Sequence, residues 1–591
     1  MSRTLAALAL SPLALAGTAA AQSFDNAWVE FALDTGHFAN TTVSNNQIET
    51  DLAWGDLDGD GWTDLVAVRK EPFTSTGKRT NLLLMNENGK FVNRTRDFAE
   101  ASDVPGDMGF STPTNDRDVV LSDLNLDGLL DVVTATTISD GDPKHIGHPR
   151  VYMNLGSAGG SWLGLEYQDA RIPQLLHFNT GQPQNPRFCS VAAGDLTGDG
   201  YPELYFGDYD SSGAGGAQQQ GNQDLNDRLL VNDRNGFFTD ESQSRMTPQM
   251  LLSAFGMASV IADLNGDGRN DVLKDTALNP PQYVAISYNN PANPGVFQIF
   301  DDFHSGFAPY HVNVGDLNQD GRLDIITSDD GDDRFRLNEG NDQFGRVIWS
   351  QAFRYSFLAG GDDGFSSNNL VADLDGDGFG DSLHADIDVD IPGGNRRMHI
   401  YHNVFQEAGS PTMVEERQVP GGGGWIGAVG LEQADLQGTH DMAAIDIDND
   451  GDLDLVISRM NGTEVYLNLL DPEVCQEDLG FGGPGSVALS LCGEALVTGA
   501  EAELKVESAL TNAPGVLAVG ATNASTPLLG GTIVPIPADL ILPFTTDAAG
   551  AWTVPLTVGP ASAELFMQAL VFDATQAQLF AISNAIAADF N

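Results

Sequence analysis

A chain of 591 residues with 83 acidic side chains against 28 lysines and arginines carries a formal net charge of −55. A field of that sign repels phosphate backbones and anionic lipid, which excludes nucleic acid and acidic membranes as partners, and it attracts divalent cations. Hydrophobic residues at 41% permit sizeable cores, and 66 glycines suit many tight turns and few long helices.

Residues 1–21 read as a secretory signal: Arg3, an apolar stretch from Leu5 to Ala16, and the small residues Ala19, Ala20 and Ala21 before Gln22. The apolar stretch is too short to span a bilayer. No later stretch combines the necessary length with freedom from Pro, Gly and charge, so no transmembrane segment is expected. The expectation is an exported chain, secreted or associated with the cell surface, where millimolar Ca²⁺ would fill weak sites.

After the β-rich run from Trp28 to Leu33 comes Asp56-Leu-Asp58-Gly-Asp60-Gly61-Trp62-Thr-Asp64, followed by the apolar Leu65-Val-Ala-Val68. Oxygen ligands at loop positions 1, 3, 5 and 9, with the carbonyl at 7, suit Ca²⁺, and a glycine at 6 permits the sharp turn. An EF-hand needs Glu at position 12, but Ala67 stands there inside a strand-like run, so the loop belongs to a β-hairpin.

The same ligand positions recur six times. They are Asp123, Asn125, Asp127, Leu129 and Asp131, then Asp195, Thr197, Asp199, Tyr201 and Glu203. Next come Asp263, Asn265, Asp267, Arg269 and Asp271, then Asp316, Asn318, Asp320, Arg322 and Asp324. The last two sets are Asp373, Asp375, Asp377, Phe379 and Asp381, and Asp446, Asp448, Asp450, Asp452 and Asp454. Up to seven Ca²⁺ ions are expected. Loop three, with Thr197 at position 3, should hold its ion least tightly, empty first and be cleaved first, near Asp195.

Behind the loops runs a second recurring element, a short β-rich segment ending in Asn, as at Asn86, Asn232, Asn338 and Asn468, then a turn and often an aromatic. Each unit therefore reads as four antiparallel strands, one propeller blade. Seven units predict an all-β, seven-bladed β-propeller over residues 22–470, with Trp28 to Leu33 supplying the outer strand that the seventh unit lacks. First aspartates lie 53 to 73 residues apart, longer than an ordinary blade, and the excess is assigned to connections between second and third strands.

These units resemble the FG-GAP/VCBS repeats of integrin α-subunit propellers and of exported bacterial proteins. Phe255-Gly256 is a literal FG, and Gly109-Phe110, Gly306-Phe307 and Gly364-Phe365 reverse it; Gly207-Asp208-Tyr209 is the nearest approach to Gly-Ala-Pro, which favours the bacterial branch. The resemblance implies metal loops on one face of the ring and connections between second and third strands on the other. Those connections include Asp140-Gly-Asp142, Asp208 to Asn226, Asp329 to Asp333 and Asp386 to Asp390.

From residue 471 the metal loops stop and short apolar runs alternate with Gly/Pro/Asn turns, which predicts a small C-terminal β-sandwich over 471–591. The piece is similar to C-terminal modules of exported bacterial proteins that anchor or sort. Cys475 and Cys492 are expected to form a disulfide, and Cys189 to be a buried, inert thiol.

Two functions remain open. One is a monomeric binding or adhesion module for a glycan or protein at a cell surface. The other is a carbohydrate-active enzyme, such as a polysaccharide lyase, with its site in the propeller funnel. The sequence has no Gly-x-Ser-x-Gly, no His-Glu-x-x-His and no phosphate loop. His399 and His402 sit on one predicted strand, facing opposite sides.

Overall fold

The structure, a computed structural model, describes residues 28–37, 49–71, 77–137, 139, 141–209, 226–253, 255–277, 283–304, 309–329, 332–355, 366–386, 397–405, 412–415, 431, 433–460, 462–469, 476–493, 501–547, 550–558, 563–576 and 578–590. The signal-peptide reading of 1–21 lies outside them, as do Cys475, Asp140, Asp330, Asp388, Asp390 and most of 208–226. The chain divides into two compact units, one spanning Phe24–Leu470 and the other carrying Asp471–Asn591.

In the first unit the described strands form seven antiparallel blades. Blade one runs Glu49–Gly55, Asp64–Lys70, Leu82–Asn86 and Phe91–Asn93, each strand pairing with the next. The other inner strands are Asp116–Ser122, Phe188–Gly194, Ser259–Ala262, Pro309–Gly315, Ser366–Ala372 and Thr439–Ile445. Each inner strand lies against that of the next blade, and Glu49–Gly55 lies against Thr439–Ile445, which closes a ring.

Blade seven takes its outer strand from the start of the described chain. Phe31–Asp34 pairs antiparallel with Gly462–Asn468, Phe31 opposite Asn468, and the Leu469 N–H donates to the Glu30 carbonyl. The edge of Gly462–Asn468 that would otherwise be open to pairing with another chain is thereby covered.

The cores lie between blades. Leu57, Val66, Val68, Leu83 and Met85 of blade one pack with Val119, Val132, Tyr152 and Trp162 of blade two. On the other side, Leu52, Leu65, Leu84 and Phe91 pack with Ala443, Ile445, Ile447, Val456 and Val465 of blade seven. Position 2 of every metal-type loop is a buried aliphatic anchor: Leu57, Leu124, Leu196, Leu264, Leu317, Leu374 and Ile447. Each such burial is worth about 1.5–3 kcal/mol, so the loops are pinned from beneath by the cores.

The extra length of the blades is not confined to connections between second and third strands. The one-turn helix Thr95–Phe98, the strand Ala101–Ser102 and the turn Gly109–Ser111 lie between blades one and two, and Ser242–Arg245 and Pro248–Leu251 lie between blades three and four. Ala101–Ser102 returns to pair in parallel with Leu165–Tyr167, giving blade two a fifth strand.

In the second unit a five-stranded sheet, ordered Glu477–Gly480, Phe580–Phe590, Ala563–Phe572, Pro514–Gly520 and Leu540–Thr545, faces a three-stranded sheet of Ala488–Gly493, Glu501–Glu507 and Trp552–Thr557. Leu489, Leu491, Leu504 and Val506 share one apolar cluster with Leu517, Met567, Val571 and Ile586, so the unit is a β-sandwich. Cys492 is disulfide-bonded, and Cys189 is free and buried. Burial pushes the Cys189 thiol upward, out of the reactive range.

Candidate metal centres

Each of the seven motif loops joins the inner strand of its blade to the second strand, and each uses its acids in the same way. The position-1 carboxylate caps the turn: Asp56 Oδ2 accepts from the Gly61 N–H at 3.0 Å, and Asp123, Asp195, Asp263, Asp316, Asp373 and Asp446 do the same at 2.7–3.1 Å. The position-6 glycines all have positive φ, between 80° and 101°, the backbone region that a Cβ disfavours. The position-5 carboxylates of Asp60, Asp127, Asp199, Asp267, Asp320, Asp377 and Asp450 accept from the N–H of residues 62, 129, 201, 269, 322, 379 and 452.

Position 9 begins the second strand and is buried in every blade. One oxygen accepts from the position-2 N–H, as from Leu57 to Asp64 at 3.0 Å and Ile447 to Asp454 at 2.8 Å. In six blades the other accepts from the N–H of the strand-three Asn: Asn86, Asn154, Asn289, Asn338, Asn403 and Asn468 donate to Asp64, Asp131, Asp271, Asp324, Asp381 and Asp454. Glu203 is a methylene longer and takes Thr197 N–H at 2.9 Å besides Leu196 N–H.

The recurring Asn has a role that its position in sequence did not disclose. Its side-chain amide donates to the position-2 carbonyl of the loop in the preceding blade. Asn154 reaches Leu57, Asn232 reaches Leu124, Asn289 reaches Leu196 and Asn338 reaches Leu264, at 2.7–2.9 Å. Asn403 reaches Leu317, Asn468 reaches Leu374, and Asn86 reaches Ile447, again at 2.8–2.9 Å. The seven loops are thus joined in a closed ring of asparagine staples.

Carboxylates crowd these loops. Burial, with the neighbouring loop acids adding to it, pushes Asp64, Asp131, Glu203, Asp271, Asp324 and Asp454 up to about 7, and raises Asp381 well above the usual range. In loop seven Asp452 is only 7% exposed, with neither carboxylate oxygen hydrogen-bonded, and burial pushes it up to about 8. Reading position 7 as a carbonyl alone misses this fifth acid. One oxygen each from Asp56, Asp58 and Asp64 lie within 4.8 Å of one another, as do those of Asp373, Asp375 and Asp381, and of Asp446, Asp448 and Asp454, sets that could each hold a metal ion. The orphaned Oδ1 of Asp373 is buried in the second of them. Converging carboxylates, joined in three loops by a position-3 Asn, are the donors a hard cation takes, so the residues fit Ca²⁺.

Loops three and five instead have an arginine on an acid. Arg234 Nε donates to Asp199 Oδ2 at 2.8 Å, and Arg322 donates to Asp320.

At the opposite ends of the blades several buried charges are paired within the chain. Lys70 Nζ lies 2.7 Å from Glu49 Oε2, Arg150 Nη2 lies 2.7 Å from Asp107, and Arg397 and His399 share Glu415. Asp329 and Asp333, placed by the sequence in a connection between second and third strands, are fully buried; Asp329 lies 3.4 Å from Arg334 and its N–H donates to Asp333. Ser382, His384 and Asp333 stand in a serine–histidine–acid order, with Nε2 2.7 Å from Ser382 Oγ and Nδ1 3.2 Å from Asp333 Oδ2. All three are fully buried and burial holds His384 neutral, so the group ties strands together and offers no surface to a substrate.

Among the described residues no helix is long and apolar enough to cross a membrane. Residues 56–134 match the family model of the FG-GAP-like repeat. Integrin alpha-8 of Homo sapiens is 28% identical over 226 residues, and that of Mus musculus is 28% identical over 225. Each match covers 34% of this chain and 18% of the relative, so the chain spans under a fifth of the length of the curated relatives it matches. Among solved structures, a Trypanosoma rangeli sialidase in complex with sialic acid aligns with a TM-score of 0.32 and 10% identity, over 84% of this chain and 91% of that chain.

Proposed function

The chain is an FG-GAP repeat protein, and from that premise we propose that it is an exported, calcium-stabilised propeller acting as a binding or adhesion module for a glycan or protein at a cell surface. The observation that carries this reading is that all seven loops commit their carboxylates to one end of the blades, where capped turns and asparagine staples immobilise them. Ions there would staple hairpins, with positions 1, 3, 5 and 9 and the position-7 carbonyl as ligands, and would leave no open position for chemistry. The other end of each blade carries the connections between second and third strands, and loops held on a rigid scaffold are where binding resides. The sandwich at Asp471–Asn591 would anchor or sort the exported chain.

A glycan array and a cell-surface binding assay, each with Ca²⁺ and with chelator, test the reading when run beside an assay for new reducing ends and unsaturated products. Calcium-dependent retention of a defined ligand class without turnover is the expected result. Product formation would replace the binding module with a carbohydrate-active enzyme.

A further inference from the structure

Blade six differs from the other blades beside its loop. The residue preceding the staple Asn is Met85, Met153, Val231, Tyr288, Leu337 or Leu467 in six blades, and His402 in blade six. His402 is 8% exposed, and its ring lies flat on the Trp28 indole, centroids 4.4 Å apart and planes 5° apart. That stack fixes the plane of the imidazole, and Nε2 lies 3.1 Å from Asp375 Oδ2.

One donor atom from each of Asp375, Asp377 and His402 lies within 4.8 Å of the other two. Loop six therefore holds two overlapping donor groups that share Asp375. One is the all-oxygen set with Asp373 and Asp381; the other contains a nitrogen. Ca²⁺ takes oxygen ligands, whereas imidazole suits Zn²⁺ and its first-row neighbours, and a carboxylate–imidazole set is a common donor combination for them. Among the described residues, the motif loops of the other blades show no such histidine group.

We propose that loop six is a mixed-donor site for a divalent transition metal of the Zn²⁺ class, bound by Asp375, Asp377 and His402. The proposal rests on reading the loop carboxylates as ion ligands, but not on Ca²⁺ filling the other six loops. The competing role for His402 is to orient Asp375 by a hydrogen bond, as a partner behind a calcium ligand does.

Calorimetric titration of Zn²⁺ into the calcium-loaded full chain, on wild type, His402→Leu and His402→Gln, separates the two roles. Leu keeps an apolar surface against Trp28, and Gln keeps a hydrogen-bond donor toward Asp375 without an imidazole. The wild type should show one high-affinity Zn²⁺ step that both variants lose or weaken about tenfold or more, while the Ca²⁺ stoichiometry of the zinc-free proteins is the same in all three. Equal Zn²⁺ isotherms in all three proteins, or no Zn²⁺ binding by the wild type, would overturn the site, as would loss in the Leu variant alone, which would assign His402 to positioning. Failure of the calcium reading registers separately, as the absence of a Ca²⁺ isotherm in every protein.

Discussion

The strand Asp64–Lys70 begins and ends with opposite treatments of charge. At its start Asp64 is buried beside Asp56 and Asp58, and among the described residues no lysine or arginine pairs with that loop. At its end Lys70 is buried against Glu49, directly opposite it in the register of the sheet. One end of the blade carries its own cation, and the other gathers carboxylates that would take one from solution. Buried like charges without a counter-ion oppose folding, so the ring should be stable only where that cation is supplied.

Withdrawing the ions should have the largest effect. Chelation should lower the melting temperature of the full chain by on the order of 10 °C or more, since several sites each lose stabilisation of a few kcal/mol. A chelated protein that melts unchanged and resists protease would show that the loops fold without metal.

Glu49→Gln tests the other end of the same strands. It leaves Lys70 buried without its carboxylate and should cost about 3–5 kcal/mol, equally with Ca²⁺ and with chelator. Although burial opposes it, the charge of Lys70, a hydrogen bond from His440 and the charge of Arg117 hold Glu49 down at about 2, against an ordinary 4.5. A depressed carboxylate stabilises the fold above its unfolded value. In the wild type that contribution should therefore be complete above pH 4.5 and fade as pH falls toward 2. A calcium-dependent loss in the variant would mean that the two ends are coupled.

Between loops, Asp446→Asn in loop seven should cost about 3 kcal/mol in saturating Ca²⁺, and Asp195→Asn in loop three about 1 kcal/mol. The gap should close in chelator; equal costs in calcium would erase the distinction between the loops. The smallest effect belongs to Arg234→Gln, which removes the chain's own cation from Asp199 and should modestly raise the Ca²⁺ affinity of loop three. The structure also changes the order of events expected from ligand counting. Loop three should still lose its ion first, yet with Arg234 in place it should resist protease longer than loops one and seven, which proteolysis mapped against free Ca²⁺ would show.

Much of this was legible because the loops repeat their chemistry at fixed spacing, and because Trp28 to Leu33 had no role other than to complete a blade. What remained hidden depends on partners distant in sequence. The staple Asn residues were visible, but six of them grip carbonyls 74 to 108 residues away, and Asn86 grips one 361 residues away. Strand alternation put His399 and His402 on opposite sides, yet only the fold shows one at Glu415 and the other at Asp375. The burial of the acids at 329 and 333 stayed hidden because composition does not record which way a side chain turns.

The pairing of Phe31–Asp34 with Gly462–Asn468 also sets an order in time. The first of these strands leaves the ribosome ahead of its partner, which follows more than 400 residues later, and at 5–20 residues per second that is a wait of roughly 20 to 90 s. Through that interval blade seven does not exist, and six finished blades would form an arc with two open flanks. A chain stalled before Asn468 would keep those flanks exposed to other nascent chains, so the final strands of the propeller are also its protection against mispairing.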